Sequence, residues 1–288
     1  MKQKNKAIAY IILSAFFFAL MLFFVRLAGN RVPVIQKSFF RNIVAFAIAA
    51  AILIKEREPV CIGKGNMRYM LTRAIAGTLG IFCNFSAVDH LNLADASILN
   101  KLSPFFAVLF SIVLLKEKVS TVEWLTLATA FAGAMFVIKP SFSMSSFYAL
   151  AGFAGGMAAG LSYACVRKLG THGVKGPVII AFFSGFSCLC TLPYLIFSFT
   201  PMSAGELTSL LLAGCSAAGG QIFITAAYTN APAREISVFD YSQIIFTASL
   251  GFLMWGQIPD ILSVIGYILI IGAAIFKWRY NLSQDRQK

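Results

Sequence analysis

The chain has 288 residues and a formal net charge of +13; 59% of its residues are hydrophobic and only 12% are charged. A soluble domain uses about a quarter of its residues as charged ones to cover its surface. Together with a mean hydropathy of +0.80, this composition excludes a soluble globular protein and indicates a membrane protein.

Apolar stretches of about 20 residues recur along the whole chain, which is the length that crosses a bilayer as a helix. They predict an all-α integral membrane protein with ten transmembrane helices. The predicted spans are residues 7–28, 34–54, 70–88, 96–115, 121–138, 147–166, 177–198, 207–227, 235–255 and 261–278.

The basic residues predict the orientation of these spans. With the N-terminus inside, 18 Lys and Arg side chains lie on the cytoplasmic side, Arg73 among them, 3 lie outside and 3 lie within spans. Such an excess is the positive-inside pattern of membrane proteins. We therefore expect a multi-pass protein of the cytoplasmic membrane with both termini cytoplasmic, and no nucleic-acid partner.

One segment of the chain occurs twice. Residues 96–133 align with residues 235–272 without a gap, at a separation of 139 positions, and Lys101 falls on Asp240. The duplication predicts two five-helix units, residues 7–140 and 147–279.

An odd number of spans in each unit makes the second unit enter the membrane from the opposite side. Inverted repeats of this kind build many secondary transporters, whose substrate sites lie near the midplane at the interface between repeats. The predicted fold is thus ten helices in two inverted repeats.

Short motifs in a fixed order cover nearly the whole chain. They are Phe39-Phe40-Arg41, Ala94, Pro104, Glu117, Gly133, Ser162-Tyr163-Ala164, Arg167-Lys168-Leu169, Gly256-Gln257-Ile258-Pro259 and Gly266 to Gly272. This order resembles the drug/metabolite transporter superfamily, in its EamA branch. The resemblance implies ten helices, cytoplasmic termini and carriage of small metabolites, often export of amino acids or related compounds. The chain departs from the pattern at Gln243, where many relatives repeat the proline, and at Gln257, where a second glutamate is common.

Charged side chains within spans are the first candidates for function, because each is costly in a bilayer unless it faces protein or water. Lys37, Arg41, Lys101 and Asp240 fall in this class. At 1.5 Å of rise per residue, Arg41 lies about 11 Å and Lys101 about 9 Å below the outer boundary, and Asp240 lies about 7 Å from the cytoplasmic one.

Polar residues extend these positions into stripes. Asn100 accompanies Lys101 on one helix face, and Pro104 frees the Asn100 carbonyl. Gln243 shares a face with Asp240, and Tyr163 is a candidate for lining a cavity. The predicted substrate-binding or coupling residues are Lys37, Arg41, Asn100, Lys101, Tyr163, Asp240 and Gln243.

Each candidate also has a structural alternative. Asp240 can respond to protons or cations, hold a substrate ammonium, or form an ion pair with a repeat-related lysine or arginine. Arg41 can contact substrate or only hold its helix against neighbouring carbonyls. Lys37 can contact substrate, reach the surface, or pair with Asp89 or Asp95, and Tyr163 can simply pack.

The predicted function is a secondary transporter that exports a small polar metabolite, such as an amino acid, an organic anion or a related compound, by alternating access. Three cations against one anion within the spans favour a substrate that carries a carboxylate or another anionic group, and a zwitterion such as an amino acid would suit a site with both signs. Coupling to protons or another ion stays open. So does a homodimer, because Gly152, Gly156 and Gly160 can form either an internal contact or a dimer seam.

A channel, a scaffold and an intramembrane enzyme are the alternatives. A channel lacks support because no filter motif or charged ring appears. An enzyme lacks support because His90 and His172 fall in separate loops and no catalytic motif accompanies them. No cofactor is expected, and no metal site, because Cys188 and Cys190 point to opposite sides of a helix.

Overall fold

A computed structural model of the protein describes residues 2–57, 62–63, 65–115, 121–138, 144–230 and 237–286. The described residues are helical, with turns between the helices and no strand. The helices are α1 (Lys2–Leu27), α2 (Val34–Glu56), α3 (Met67–His90), α4 (Leu93–Asn100), α5 (Ser103–Leu115), α6 (Thr121–Ile138), α7 (Met144–Thr171), α8 (Gly176–Ser198), α9 (Ala204–Asn230), a 3-10 helix (Ser237–Tyr241), α10 (Ser242–Trp255) and α11 (Ile261–Arg286).

The all-helical prediction is confirmed. Seven of the described helices, α1, α2, α3, α7, α8, α9 and α11, are long and apolar enough to cross a membrane by length and composition. The remaining elements are shorter, and they belong to the predicted spans 96–115, 121–138 and 235–255.

Two predicted spans are interrupted. Residues 96–115 were expected to form one helix, but α4 ends at Asn100 and α5 begins at Ser103. Pro104 has no amide hydrogen to donate to the Asn100 carbonyl, so the hydrogen bond that would continue α4 cannot form. In the span 235–255, the described residues start with the 3-10 helix that precedes α10. Lys101 lies in the first interruption and Asp240 in the second.

The predicted outer loop from Asp89 to Asp95 is also shorter than expected. Asp89 belongs to the last turn of α3 and Asp95 to the first turn of α4, and only Leu91 and Asn92 separate the two helices. Glu117, which resembles a family motif residue, lies outside the described residues.

The bundle is held by pairs of helices that are distant in sequence. The most extensive contacts join α1 to α9, α3 to α7, α2 to α8 and α6 to α11. The interrupted elements fill the space between these pairs, with α5 against α7 and α10 against α1. Both halves of the chain therefore build one core.

The glycines of α7 let its backbone approach three neighbours. A Cβ on Gly152 would lie 3.1 Å from the Ala87 Cβ, and one on Gly160 would lie 2.8 Å from the Ser103 carbonyl oxygen. Gly156 faces the Leu99 carbonyl in the same way. Of the two uses considered for this glycine stripe, close packing within the chain is the one the structure contains.

One end of the bundle, where α3 ends and α4 begins, carries many polar contacts between elements; we call it the Asp89 end. Side chains there bond to backbone or side-chain groups of other segments, which closes the bundle at this end. The contacts are Arg26 to the Val88 carbonyl (2.6 Å), Gln36 to the Thr200 carbonyl and amide (2.8 and 3.0 Å), the Leu93 amide to Gln257 (2.9 Å), and Tyr267 to Asp95 (2.6 Å).

Candidate functional site

A cavity of about 100 Å³ lies between the two halves of the chain. Helices from both halves line it, and many of its side chains are polar although it lies within an apolar bundle. The polar lining residues are Arg41, Arg73, Asn84, Asn100, Lys101, Ser162, Tyr163, Gln221 and Gln243. Its volume is below the roughly 300 Å³ of the smallest drug-sized ligand pockets, so in this conformation it suits only a compact polar group.

An ion pair joins the two interrupted spans beside this cavity. Lys101 Nζ lies 2.6 Å from Asp240 Oδ2, and both side chains are largely buried. Tyr241 reinforces the contact by donating a hydrogen bond of 3.2 Å to the Lys101 carbonyl. The second carboxylate oxygen of Asp240 is buried without a hydrogen-bond partner.

The sequence placed Lys101 and Asp240 in the outer and inner halves of the membrane, where both face one shared cavity. Because each residue lies in a helix interruption and not in a straight helix, the two side chains meet. Of the alternatives for Asp240, the ion pair with a repeat-related lysine is the one observed.

Lys37 lies away from the cavity, at the Asp89 end. Its Nζ is 2.5 Å from Asp89 Oδ1, and its side chain has no exposed surface. This is one of the pairings considered from the sequence. Because Asp89 was expected in a loop, the sequence-based balance of three cations against one anion omitted it.

Arg41 projects from α2 into the cavity. Its side chain is buried, and its Nη1 donates to the Asn42 side-chain oxygen at 2.5 Å. The Nε group has no hydrogen-bond partner. Asn42 in turn bonds to Ser187 at 2.7 Å, which ties α2 to α8 behind the arginine.

Arg73 is a cavity residue that the sequence analysis missed. It was counted with the cytoplasmic basic residues, yet its side chain is only 6% exposed and lines the cavity. Arg73 is buried because α3 begins at Met67, which places Arg73 about a turn and a half inside the helix. A signal was available: Arg73, Gly77, Gly80 and Asn84 have the i, i+4, i+7, i+11 spacing of one helix face.

Asn84 adds an acceptor on the same face of α3. Its side chain is 6% exposed, and its Oδ1 has no hydrogen-bond partner. Seven residues separate it from Gly77, which corresponds to about 10 Å along the helix axis. The cavity thus has an unpartnered donor, Arg73 Nε, near Gly77 and an unpartnered acceptor, Asn84 Oδ1, further along α3.

The structure brings five of the seven predicted site residues to the cavity: Arg41, Asn100, Lys101, Tyr163 and Gln243. Tyr163 is half-buried and contributes to the cavity lining. Asp240 contacts Lys101 beside the cavity, and Lys37 is not part of it. Their roles in binding or coupling stay predictions.

Comparison with known proteins gives one family. The model of the EamA-like transporter family matches residues 5–139. The pseudopaline exporter CntI of Pseudomonas aeruginosa is 31% identical over 266 residues, which cover 92% of this chain and 93% of that protein.

Other relatives have lower sequence identity to this chain. A riboflavin transporter of Brucella anthropi is 26% identical over 90% of this chain and 93% of its own length. The human solute carrier family 35 member G1 is 25% identical over 93% of this chain and 79% of its own length.

A solved crystal structure has the same fold. It superposes with a TM-score of 0.67 and covers 95% of this chain and 97% of its own, at 17% sequence identity. At that identity the likeness concerns the fold alone.

Proposed function

We propose a function from the premise that this chain belongs to the EamA-like transporter family, and is therefore a multi-pass membrane protein of a class of transporters and not of enzymes. The proposal is a secondary carrier that moves a small polar metabolite through the central cavity by alternating access. The main support is the cavity, because polar side chains from both halves of the chain line one space in the bundle.

The architecture we propose is ten spans in two inverted repeats of five. If the interrupted segments count as spans four and nine, the two largest helix pairs, α1 with α9 and α3 with α7, join span one to span eight and span three to span six. Two repeats of five spans exchange span one with six, three with eight, two with seven and five with ten. This exchange turns the pair of spans one and eight into the pair of spans six and three. The pairs α2 with α8 and α6 with α11 each join a span to its own counterpart in the other repeat, so the exchange leaves them unchanged.

The orientation we propose has both termini in the cytoplasm, which makes the Asp89 end the outer end. Support comes from the excess of basic residues on the predicted inner side. Export is the proposed direction, and it is supported by the name of the P. aeruginosa relative, an exporter. The substrate of that relative is not transferred to this chain.

Alternating access requires the Asp89 end to open. The described conformation has this end joined by polar contacts, among them the buried Lys37–Asp89 pair. We propose that the pair separates when substrate is released outward. We also propose that Asp240, whose second oxygen lacks a partner, is the group through which a proton or another cation is coupled to transport.

Purified protein in liposomes tests the carrier proposal. A metabolite panel is first screened for thermal stabilisation, since a compound that binds the folded state raises its melting temperature by mass action. Binders are then assayed for flux, with and without a pH gradient. A carrier gives saturable flux and exchange of internal against external substrate.

Two results would overturn the proposal. Flux that rises linearly with concentration and shows no exchange would indicate a channel. Absence of flux for all binders, in liposomes with verified insertion, would indicate a scaffold. The control protein is the Lys101→Met/Asp240→Leu variant, which should keep the fold and lose transport.

A further inference from the structure

Two arginines face a single aromatic ring in the cavity. The Arg73 Cζ lies 4.1 Å from the centroid of the Phe183 ring, and the Arg41 Cζ lies 5.9 Å from the same centroid. The three residues come from α3, α2 and α8, and all are at least nine-tenths buried. Two positive charges are therefore held close together in a site with little water.

Neither arginine has an anionic partner in the ranges that the structure describes. The buried lysines contact Asp89 and Asp240, but no carboxylate of the described residues lies within 4.0 Å of either cavity guanidinium. Both Nε groups are buried and lack hydrogen-bond partners. Burying a cation without a partner costs far more than burying a paired one.

The Phe183 ring compensates only part of this cost. Cation–π contacts contribute about 1 to 2 kcal/mol when desolvated, whereas two like charges at this distance repel each other. The donors that remain can satisfy an oxyanion. A guanidinium presents its N–H groups in a planar fork that matches carboxylate or phosphate oxygens.

We infer that Arg41 and Arg73 form an oxyanion-binding site, and that the substrate of this carrier is a small organic acid with a carboxylate or phosphate group. This inference rests on the proposed function. The anion lies between the two guanidinium groups, and the rest of the substrate extends along α3 toward Asn84. The binding site consists of α2, α3 and α8, and it excludes the lysines favoured by the sequence.

Gly77 explains why Arg73 can occupy this position. A Cβ at residue 77 would overlap the Arg73 guanidinium and would lie 2.8 Å from the Phe183 Cε2. The glycine leaves space for the arginine to fold along its own helix and reach the ring. A carbon atom at this position would displace the charge from the cavity.

The test measures thermal stabilisation and liposome flux for matched ligands at constant ionic strength. The ligands are small monocarboxylates, dicarboxylates and phosphate monoesters, each with its neutral amide or alcohol analogue. The variants are Arg41→Gln, Arg73→Gln and Arg73→Lys. Arg68→Gln is the matched control, because Arg68 lies on the same helix and is exposed.

We expect acids to stabilise the wild-type protein and their neutral analogues not to do so. Arg41→Gln and Arg73→Gln should each weaken acid binding by about tenfold to a hundredfold, the effect of losing a charged hydrogen bond. Arg73→Lys keeps the charge but loses the planar fork, so its affinity should be intermediate. Arg68→Gln should match wild type. The comparison of carboxylates with phosphates identifies which oxyanion is preferred.

The inference fails if the glutamine variants melt lower but keep the wild-type ratio of acid to neutral affinity, because the arginines would then be structural only. It also fails if saturable flux occurs only for neutral or cationic compounds, a result that leaves the carrier proposal intact. If no compound gives saturable flux, while acids still stabilise the protein through Arg41 and Arg73, the site stands and the carrier proposal fails.

Discussion

The buried lysines and the buried arginines of this protein differ in how their charge is neutralised. Lys37 and Lys101 each contact an aspartate from another helix, at 2.5 and 2.6 Å. Among the described residues, Arg41 and Arg73 face one aromatic ring, and Arg41 also contacts one amide oxygen. An aspartate neutralises the charge of each lysine, whereas no carboxylate of the described residues lies within 4.0 Å of either arginine.

This difference assigns separate roles to the two kinds of pair. A paired cation holds two helices together and can change partners during a conformational change. An unpaired cation in a cavity attracts an anion from solution, so its electrostatic cost is relieved when substrate binds. We therefore expect the lysine pairs to serve structure and gating, and the arginines to serve binding.

The largest expected effect comes from breaking the Lys101–Asp240 pair. Lys101→Met leaves Asp240 as a buried carboxylate without a cation, which should lower the free energy of unfolding by about 3 kcal/mol. Lys101→Met/Asp240→Leu removes both charges and should recover most of that loss. Both variants should lack transport. Chemical denaturation in detergent and liposome flux measure the two effects.

A double variant that is as unstable as the single one would contradict this account of the pair. A double variant with normal flux would remove the pair from the transport cycle. Because Lys101 also lines the cavity, either result would mean that its pairing with Asp240 does not separate its role from that of the arginines.

Asp240→Asn tests coupling with a smaller change of shape. The amide keeps the size of the carboxylate and can still bond to Lys101, but it cannot take up a proton. We expect stimulation of flux by a pH gradient to disappear, while flux without a gradient persists at a reduced rate. Stimulation that persists in this variant would exclude Asp240 as the proton site.

A third prediction concerns the Lys37–Asp89 pair at the closed end. Lys37→Met removes a buried contact that joins α2 to α3, so the closed conformation should lose population. A cysteine introduced at Ser162, which lines the cavity, reports the change in a background without other cysteines. Labelling by an impermeant thiol reagent from the Asp89 side should become several-fold faster.

The arginine variant Arg41→Gln is the matched control for this labelling, because it removes a buried cation from the same helix without touching the closed end. It should label at the wild-type rate. If labelling became equally faster in both variants, then the loss of any buried charge would loosen the bundle. Lys37 would then have no special role in gating.

Much of the fold was predictable from the sequence. The length of the apolar stretches predicted the helices, because about 20 apolar residues in a row cross a bilayer as a helix. The alignment of Lys101 with Asp240 also identified two residues that the structure brings into contact. The sequence left this contact as one of several alternatives for Asp240, since it depends on two helix interruptions, and only the one at Pro104 has an obvious sequence cause.

The candidate site was predictable in part, for a similar reason. Arg41 was identified because it lies deep inside an apolar stretch. Arg73 was missed because it lies near the edge of one, where counting residues cannot separate a buried arginine from one that reaches the surface. Its burial follows from the packing of α3 against α7 and α8, which is a long-range property of the chain.

The smallest expected effect comes from Gly77→Ala, which tests the arginine pair without altering any charge. The methyl group would meet both the Arg73 guanidinium and the Phe183 ring, so Arg73 must leave its position. We expect acid affinity to fall by about threefold to tenfold, since the cation stays on the same helix but no longer shares the site with Arg41.

Gly272→Ala is the control, because a methyl group at that mid-helix position meets nothing within 4 Å. Equal affinities in the two variants, measured by thermal stabilisation with the preferred acid, would show that the position of Arg73 beside the ring does not matter for binding. A fall confined to Gly77→Ala would locate the anion at the guanidinium pair and the Phe183 ring that both arginines face, because these are the cavity groups that the methyl group meets.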